Sequence, residues 1–341
     1  MEQFHALWLF ILILLKTASI EANSLNGCQD MCGYVTIPYP FGIGANCSIN
    51  KWYNIDCNSS IPYLSALNNL EVMRVSVEDQ TVIPRVSMFT SCKKRVQYSS
   101  EIMSIDLNGS PFLFNKFQNI LVVKGCGNAV LLDRKKVVTG CSTTCHNDTV
   151  NEKNNCFGIS CCQSTFPYHL KSYILDFTGF ENQSHDGTCK SSFIVDKQAY
   201  VLGSTMLGLQ SLVPVSLLWT LTKNDMKKIN CNGRNGNVTF DLGNGKSVMS
   251  GNCTCKNKFH GNPYLPRGCK EADVCKSCER KRSLCSFRRT YALDGLYDTG
   301  WQAHCSTSYN NFDSGSRKSS PAILLELVSF LYKEAVVPAK E

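Results

Sequence analysis

Apolar residues along this chain recur in short runs broken by turn chemistry, a spacing of strands rather than helices. Runs at 70–77, 120–123 and 129–132 are set off by Asn68-Asn69, Asn108-Gly109 and Gly125, residue types that supply tight turns. Tyr173, Leu175 and Phe177 alternate, and residues 213–219 form one apolar strand behind Gly208. Val238, Phe240 and Leu242 alternate into Gly243-Asn244-Gly245, which predicts a hairpin. The chain has no long amphipathic helical pattern and no solenoid-type repeat. These elements predict a mainly β fold.

Two apolar stretches stand apart from this pattern. Residues 6–15 (ALWLFILILL) are too short to span a bilayer but suit the apolar centre of a secretory signal peptide. Small residues follow at Thr17, Ala18, Ser19 and Ala22, so residues 1–22 are expected to be a cleaved leader. Residues 322–332 are interrupted by Glu326 and predict a short amphipathic helix at most, not a second span. The tail 306–341 has no cysteine and is polar through Ser320, so it is expected to be poorly ordered.

Cysteine content then fixes the compartment. All twenty cysteines lie beyond the leader, and an even number in an exported chain reads as up to ten disulfides rather than free thiols. They are Cys28, Cys32, Cys47, Cys57, Cys92 and Cys126, then Cys141, Cys145, Cys156, Cys161, Cys162 and Cys189, then Cys231, Cys253, Cys255, Cys269, Cys275, Cys278, Cys285 and Cys305. Spacing does not give their connectivity, except that the adjacent Cys161 and Cys162 should take different partners. Cys275, Cys278 and Cys285 with His304 also have the look of a zinc set. Export favours disulfides for them, and no metal or cofactor is expected. Seven N-glycosylation acceptors agree with export: Asn46, Asn58, Asn108, Asn147, Asn182, Asn237 and Asn252.

Charge narrows the partners. Only 18% of residues are charged and the formal net charge is +8. Loss of residues 1–22 removes Lys16, Glu2 and Glu21 and leaves +9. That excess favours a polyanionic glycan, an anionic membrane surface or an acidic protein. Nucleic acid is not expected, because no nucleic-acid module is recognisable.

Three ordered sets of motifs divide the mature chain into segments 23–140, 141–222 and 223–305. The first has Cys28, Cys32-Gly33, then Ile37-Pro-Tyr-Pro-Phe-Gly-Ile43, Cys47 and Cys57, and closes with Pro111-Phe112, Asn119 and Gly125-Cys126. Pro38 and Pro40 force an extended chain, and Gly42 and Gly44 allow a tight turn at φ > 0. These residues resemble the galacturonan-binding module of plant wall-associated receptor-like kinases. Gly140-Cys141, Cys145, Cys156, Gly158-Ile-Ser-Cys-Cys162, Pro167 and Cys189 look like that family's cysteine module. Cys253-Thr-Cys255 and Phe259-His-Gly-Asn-Pro-Tyr264 through Cys269 are similar to the end of its first EGF-like repeat. The resemblance covers residues 28–278.

The departures count equally. Where family members carry an Asp-Ile-Asp-Glu-Cys calcium signature, this chain has Glu271-Ala-Asp-Val-Cys275, so the EGF-like end is degenerate and no calcium is expected. Gly-rich phosphate loop, Val-Ala-Ile-Lys and His-Arg-Asp motifs are missing from the sequence. The expectation is therefore an extracellular, disulfide-rich, multi-module ectodomain lacking the transmembrane helix and kinase, placed in the cell wall or on the outer face of the plasma membrane.

The resemblance implies binding of pectin-type polysaccharide, a polymer with a carboxylate on each sugar. A protein that grips it needs several cations along one face, since each exposed ion pair contributes only about 0–1 kcal/mol. The candidates are Lys93, Lys94, Arg95, Lys116, Lys124, Arg134, Lys135 and Lys136. Arg95 and Arg134 can hold a carboxylate with two hydrogen bonds. Tyr39 and Phe41, and also Trp52 and Tyr53, are candidate platforms for a sugar face, with core packing as the bland alternative. Catalysis is not expected: His146, His169, His185, His260 and His304 lie in no nucleophile or metal motif. Two rivals stay open, an ectodomain that captures a peptide ligand or a related receptor as a decoy, and a truncated product without function.

Overall fold

The computed structural model describes residues 24–91, 101–144, 156–176, 190–202, 212–281, 283–291 and 298–306. The leader at 1–22, the tail at 307–341, Lys93, Lys94, Arg95, Cys92, Cys145, Cys189, Asn147, Asn182, His146 and His185 lie outside the described residues. Within them the protein is mainly β and disulfide-rich. Among the described residues no helix is long and apolar enough to cross a membrane.

An eight-stranded sheet runs in the order Phe112–Phe114, Leu217–Trp219, Thr81–Ser87, Leu70–Ser76, Ile61–Leu64, Asn54–Asn58 and Gly42–Ile43, with Leu212–Pro214 also paired to Thr81–Ser87. A four-stranded sheet holds Asn119–Lys124 between Cys161–Ser164 and Lys190–Asp196, with Phe89–Ser91 at its edge. Another orders Lys136–Thr143, Gly127–Asp133, Ile174–Asp176 and Glu101–Met103. Strands from 23–140 and 141–222 thus pair with one another in all three sheets. Asn119–Lys124 explains why one apolar run is continuous: flanked on both edges, Ile120, Leu121, Val122 and Val123 are all buried. Gly127–Asp133 instead alternates buried and accessible positions.

The run at 213–219, expected as one strand, is two. Leu212–Pro214 and Leu217–Trp219 keep one register against Thr81–Ser87, but Pro84 brings no N–H to the gap between them. There Val215 donates to Pro84 O, and the Ser216 N–H is captured by the side chain of Asn119 at 2.8 Å.

One hydrophobic cluster extends from Cys32 to Leu265. Its centre is aromatic. Trp219, Tyr53 and Phe41 are fully buried, and Trp219 meets Phe41, Tyr53 and Tyr264 edge-on at 5.9, 6.1 and 5.4 Å. Tyr39 is 6% exposed and Phe41 0%, which corrects the expectation that they form a sugar platform; Tyr53 is equally enclosed. The chain expected to be extended at Pro38–Pro40 turns there instead, with a cis Tyr39–Pro40 peptide and Phe41 N donating to Pro38 O at 3.0 Å. Asn262 Nδ2 holds the turn by donating to Tyr39 O at 2.7 Å. Gly44 has the expected positive φ of 90°. Gly42 is needed for another reason: a Cβ there would lie 2.0 Å from Cys47 O.

Disulfides pin the segments. Cys28–Cys47 and Cys32–Cys57 tie the N-terminal strands, Cys156–Cys161 and Cys141–Cys162 give the adjacent pair different partners, and Cys231–Cys253 and Cys255–Cys269 follow. Cys126 is also bonded. Cys275–Cys285 and Cys278–Cys305 consume the thiols of the zinc alternative. With the helix Asp273–Arg280 and the hairpin Leu284–Tyr291 and Asp298–Ser306, they build a second small core that includes Phe287 and Ala303.

Candidate functional site

The turn between Phe112–Phe114 and Asn119–Lys124 is built by two asparagines. Asn119, fully buried, accepts from Ser216 N and donates through Nδ2 to Ser216 O (2.7 Å) and Asn115 O (2.8 Å). Asn115 Oδ1 accepts from Phe117 N at 3.0 Å. With its inner corner held this way, the turn pushes Lys116 and Phe117 outward. Phe117 is 67% exposed although Asn115 and Asn119, two residues away on either side, are buried, an unusual placement for a phenyl ring.

Beneath the ring lies His169, 5.5 Å away and edge-on, itself packed at 5.4 Å on Phe240. His169 is 2% exposed. Burial first, and Lys116 second, lower its pKa from 6.5 to about 4, so the imidazole is neutral near pH 7. Its Nδ1 accepts from Lys116 N at 3.2 Å, which puts the proton on Nε2.

Two lysines meet this residue, one at its ring and one at its backbone carbonyl. Lys116 Nζ sits 5.0 Å from the Phe117 centroid and donates to Pro167 O at 2.8 Å. Lys197 Nζ, from the first residue of the helix Lys197–Leu202, donates to Phe117 O at 3.1 Å. Next along is Tyr168. Burial and the neighbouring Asp133 raise its hydroxyl pKa, partly opposed by Arg134. Arg134 and Lys135 form the two-residue turn between Gly127–Asp133 and Lys136–Thr143 with φ of 50° and 64°, a left-handed pair that glycine and asparagine usually occupy. Arg134, Lys135 and Lys136 are all exposed at this tip, and Arg134 is paired to Asp133 at 3.1 Å.

Lys197, Phe117 and Lys116 are joined by direct contacts, Lys116 reaches the carbonyl of Pro167 beside Tyr168, and Tyr168 is coupled in charge to Arg134, which together form one basic, aromatic strip. Of the sequence candidates, Lys116 and Arg134 to Lys136 belong to it. Lys124 does not: it stands at the far end of Asn119–Lys124, five residues or about 16 Å along the strand, over the Tyr200 ring at 5.8 Å. Phe117, Tyr168 and Lys197 were missed. Phe117 had a signal, an aromatic between two turn-forming asparagines, whereas Lys197 arrives from eighty residues away. A second ring and cation pair, Lys51 at 5.6 Å over half-buried Trp52, lies on the N-terminal part.

Fold and strip define a disulfide-stapled, mainly β protein with a basic, aromatic strip on its surface. Residues 28–87 match the family model described as wall-associated receptor kinase galacturonan-binding, a span that contains Trp52 and Lys51 and ends before Lys116. Over most of its length the chain is homologous to wall-associated receptor kinase-like proteins of Arabidopsis thaliana. It is 26% identical to wall-associated receptor kinase-like 10 over 87% of this chain and 45% of the relative. Identity is 28% to wall-associated receptor kinase-like 1, over 83% and 41%, and 30% to wall-associated receptor kinase 5, over 80% and 38%. The chain thus spans less than half the length of these relatives. No solved structure matches it.

Proposed function

We propose that this chain is the ligand-binding ectodomain of a cell-wall receptor-like protein and that it binds acidic, pectin-type polysaccharide without chemical turnover. The match of residues 28–87 supports the class of ligand. The single structural observation that carries the reading is Phe117, an exposed ring with the Lys116 ammonium 5.0 Å from its centroid and the Lys197 ammonium on its backbone carbonyl. A pyranose presents an apolar face of C–H groups to such a ring, while its carboxylate meets the ammonium groups beside it. The Arg134–Lys136 tip and Lys51 with Trp52 offer further contacts, each weak alone and effective in series along a repeating ligand. Lys93, Lys94 and Arg95 remain candidates on sequence grounds.

The test is retention of the secreted protein on immobilised polygalacturonate at low and high salt, beside a neutral glucan. Retention on the polyanion that salt releases supports the reading, since exposed charges are screened over about 8–10 Å at physiological ionic strength. No retention at low salt removes it, and salt-insensitive capture of a peptide or receptor would replace it.

A further inference from the structure

Away from the basic strip, a groove of about 630 Å³ separates the helix Lys223–Lys228 from the hairpin Arg234–Asp241 and Ser247–Thr254. Its helix wall carries Lys223, Met226 and Lys227, and its hairpin wall Asn237, Met249 and Gly251. Side chains directly opposite across an antiparallel pair share a face. Asn237 pairs with Gly251 and Thr239 with Met249, so both ends of the acceptor triplet Asn237-Val-Thr239 are on the groove side. Asn237 is exposed, and Met249, at 60% exposed, leaves its thioether open to solvent there. Lys223 and Lys227 form no ion pair among the described residues.

We propose that Asn237 carries an N-linked glycan whose first sugars lie in this groove rather than projecting into solvent. Attachment joins Asn237 Nδ2 to C1 of a lipid-linked oligosaccharide, with the lipid diphosphate leaving and one amide proton lost. The occupant fits the walls. An N-acetylhexosamine has an apolar ring face and a methyl group for Met226 and Met249, and acetamide and hydroxyl oxygens that accept from Lys223 and Lys227. A volume in the range of small-ligand sites accommodates the first sugars and not the outer branches. Gly251 lets the Met226 side chain lie against the hairpin and form the apolar floor, since a Cβ there would lie 2.2 Å from Met226 Cγ. The other described acceptors differ. Asn46, Asn58 and Asn108 are exposed away from this groove, and Asn252 faces the opposite side, half-buried, with Oδ1 accepting from Tyr264 at 3.4 Å.

The test is glycopeptide mass spectrometry on the full secreted chain, followed by peptide-N-glycosidase time courses on native and denatured protein. The Asn237 glycan should be present and released at least tenfold more slowly than those at Asn46, Asn58 or Asn108 in native protein, with equal rates after denaturation. Met249→Ser should keep occupancy and shrink that gap. An empty Asn237, or native release as fast as at the other sites, overturns the proposal. The wild-type comparison decides it even if Met249→Ser is not secreted.

Discussion

Asn119→Ala removes one side chain that holds two strands and the functional turn together. The Ser216 N–H, fully buried, loses its acceptor at 2.8 Å, and an orphaned buried donor costs about 1–3 kcal/mol. The carbonyls of Ser216 and Asn115 keep partners, since Asn115 N and Asn119 N still donate to them at 3.0 and 3.1 Å. Losing the Nδ2 bonds to them adds about 1 kcal/mol. The total is about 2–4 kcal/mol, read as a lower urea midpoint by fluorescence under oxidising conditions, where core Trp219 reports unfolding. Asn119→Asp sharpens the test. It keeps the acceptor for Ser216 N but turns a carboxylate oxygen toward two carbonyls, which raises its folded pKa above the unfolded value near 3.9. Its stability relative to wild type is therefore greatest below that unfolded value and falls as pH rises through the folded pKa. An Ala variant within about 0.5 kcal/mol of wild type, or an Asp variant whose difference from wild type ignores pH, would refute this account of the turn.

Other outcomes follow from the same contacts. Phe41→Ala should lose about 3–5 kcal/mol and secrete poorly, as a core ring does; a stable variant that merely binds less would restore the platform role. His169, lowered to about 4, makes the folded state bind fewer protons than the unfolded one. Stability is therefore lost as pH falls from 6.5 through 4, by up to about 3 kcal/mol; His169→Gln should flatten that slope in pH-dependent urea unfolding. Gly243→Ala combines a φ of 69° with a Cβ placed 2.7 Å from the Tyr168 ring, and should cost at least about 1 kcal/mol by thermal melting.

Much of the β character was legible because its signals are local. Residues 120–123 and 129–132 announced strands by apolar run and alternation, and Gly243-Asn244-Gly245 announced the turn that joins Arg234–Asp241 to Ser247–Thr254. The break at Val215-Ser216 was not legible, since it depends on Pro84 and Asn119 from distant parts of the chain. The same holds for the strip. Arg134, Lys135 and Lys136 are a visible charge run, and their exposure follows from a tight turn. Phe41 and Phe117 invert the naive reading of two aromatics: the one in a conspicuous motif is core, and the one in a plain turn is exposed. Lys197 reaches Phe117 only through the pairing of Lys190–Asp196 with Asn119–Lys124, which no single segment encodes.

The most direct measurement is titration of an oligogalacturonide into wild-type protein, Phe117→Ala, and the double variant Lys116→Glu with Lys197→Glu, at low salt with folding verified by thermal melting. The account predicts salt-sensitive wild-type binding, roughly tenfold weaker for Phe117→Ala, consistent with about 1–1.5 kcal/mol for an exposed stacking contact. The double charge reversal should abolish it. Wild-type affinity in both folded variants would contradict the strip as the binding face.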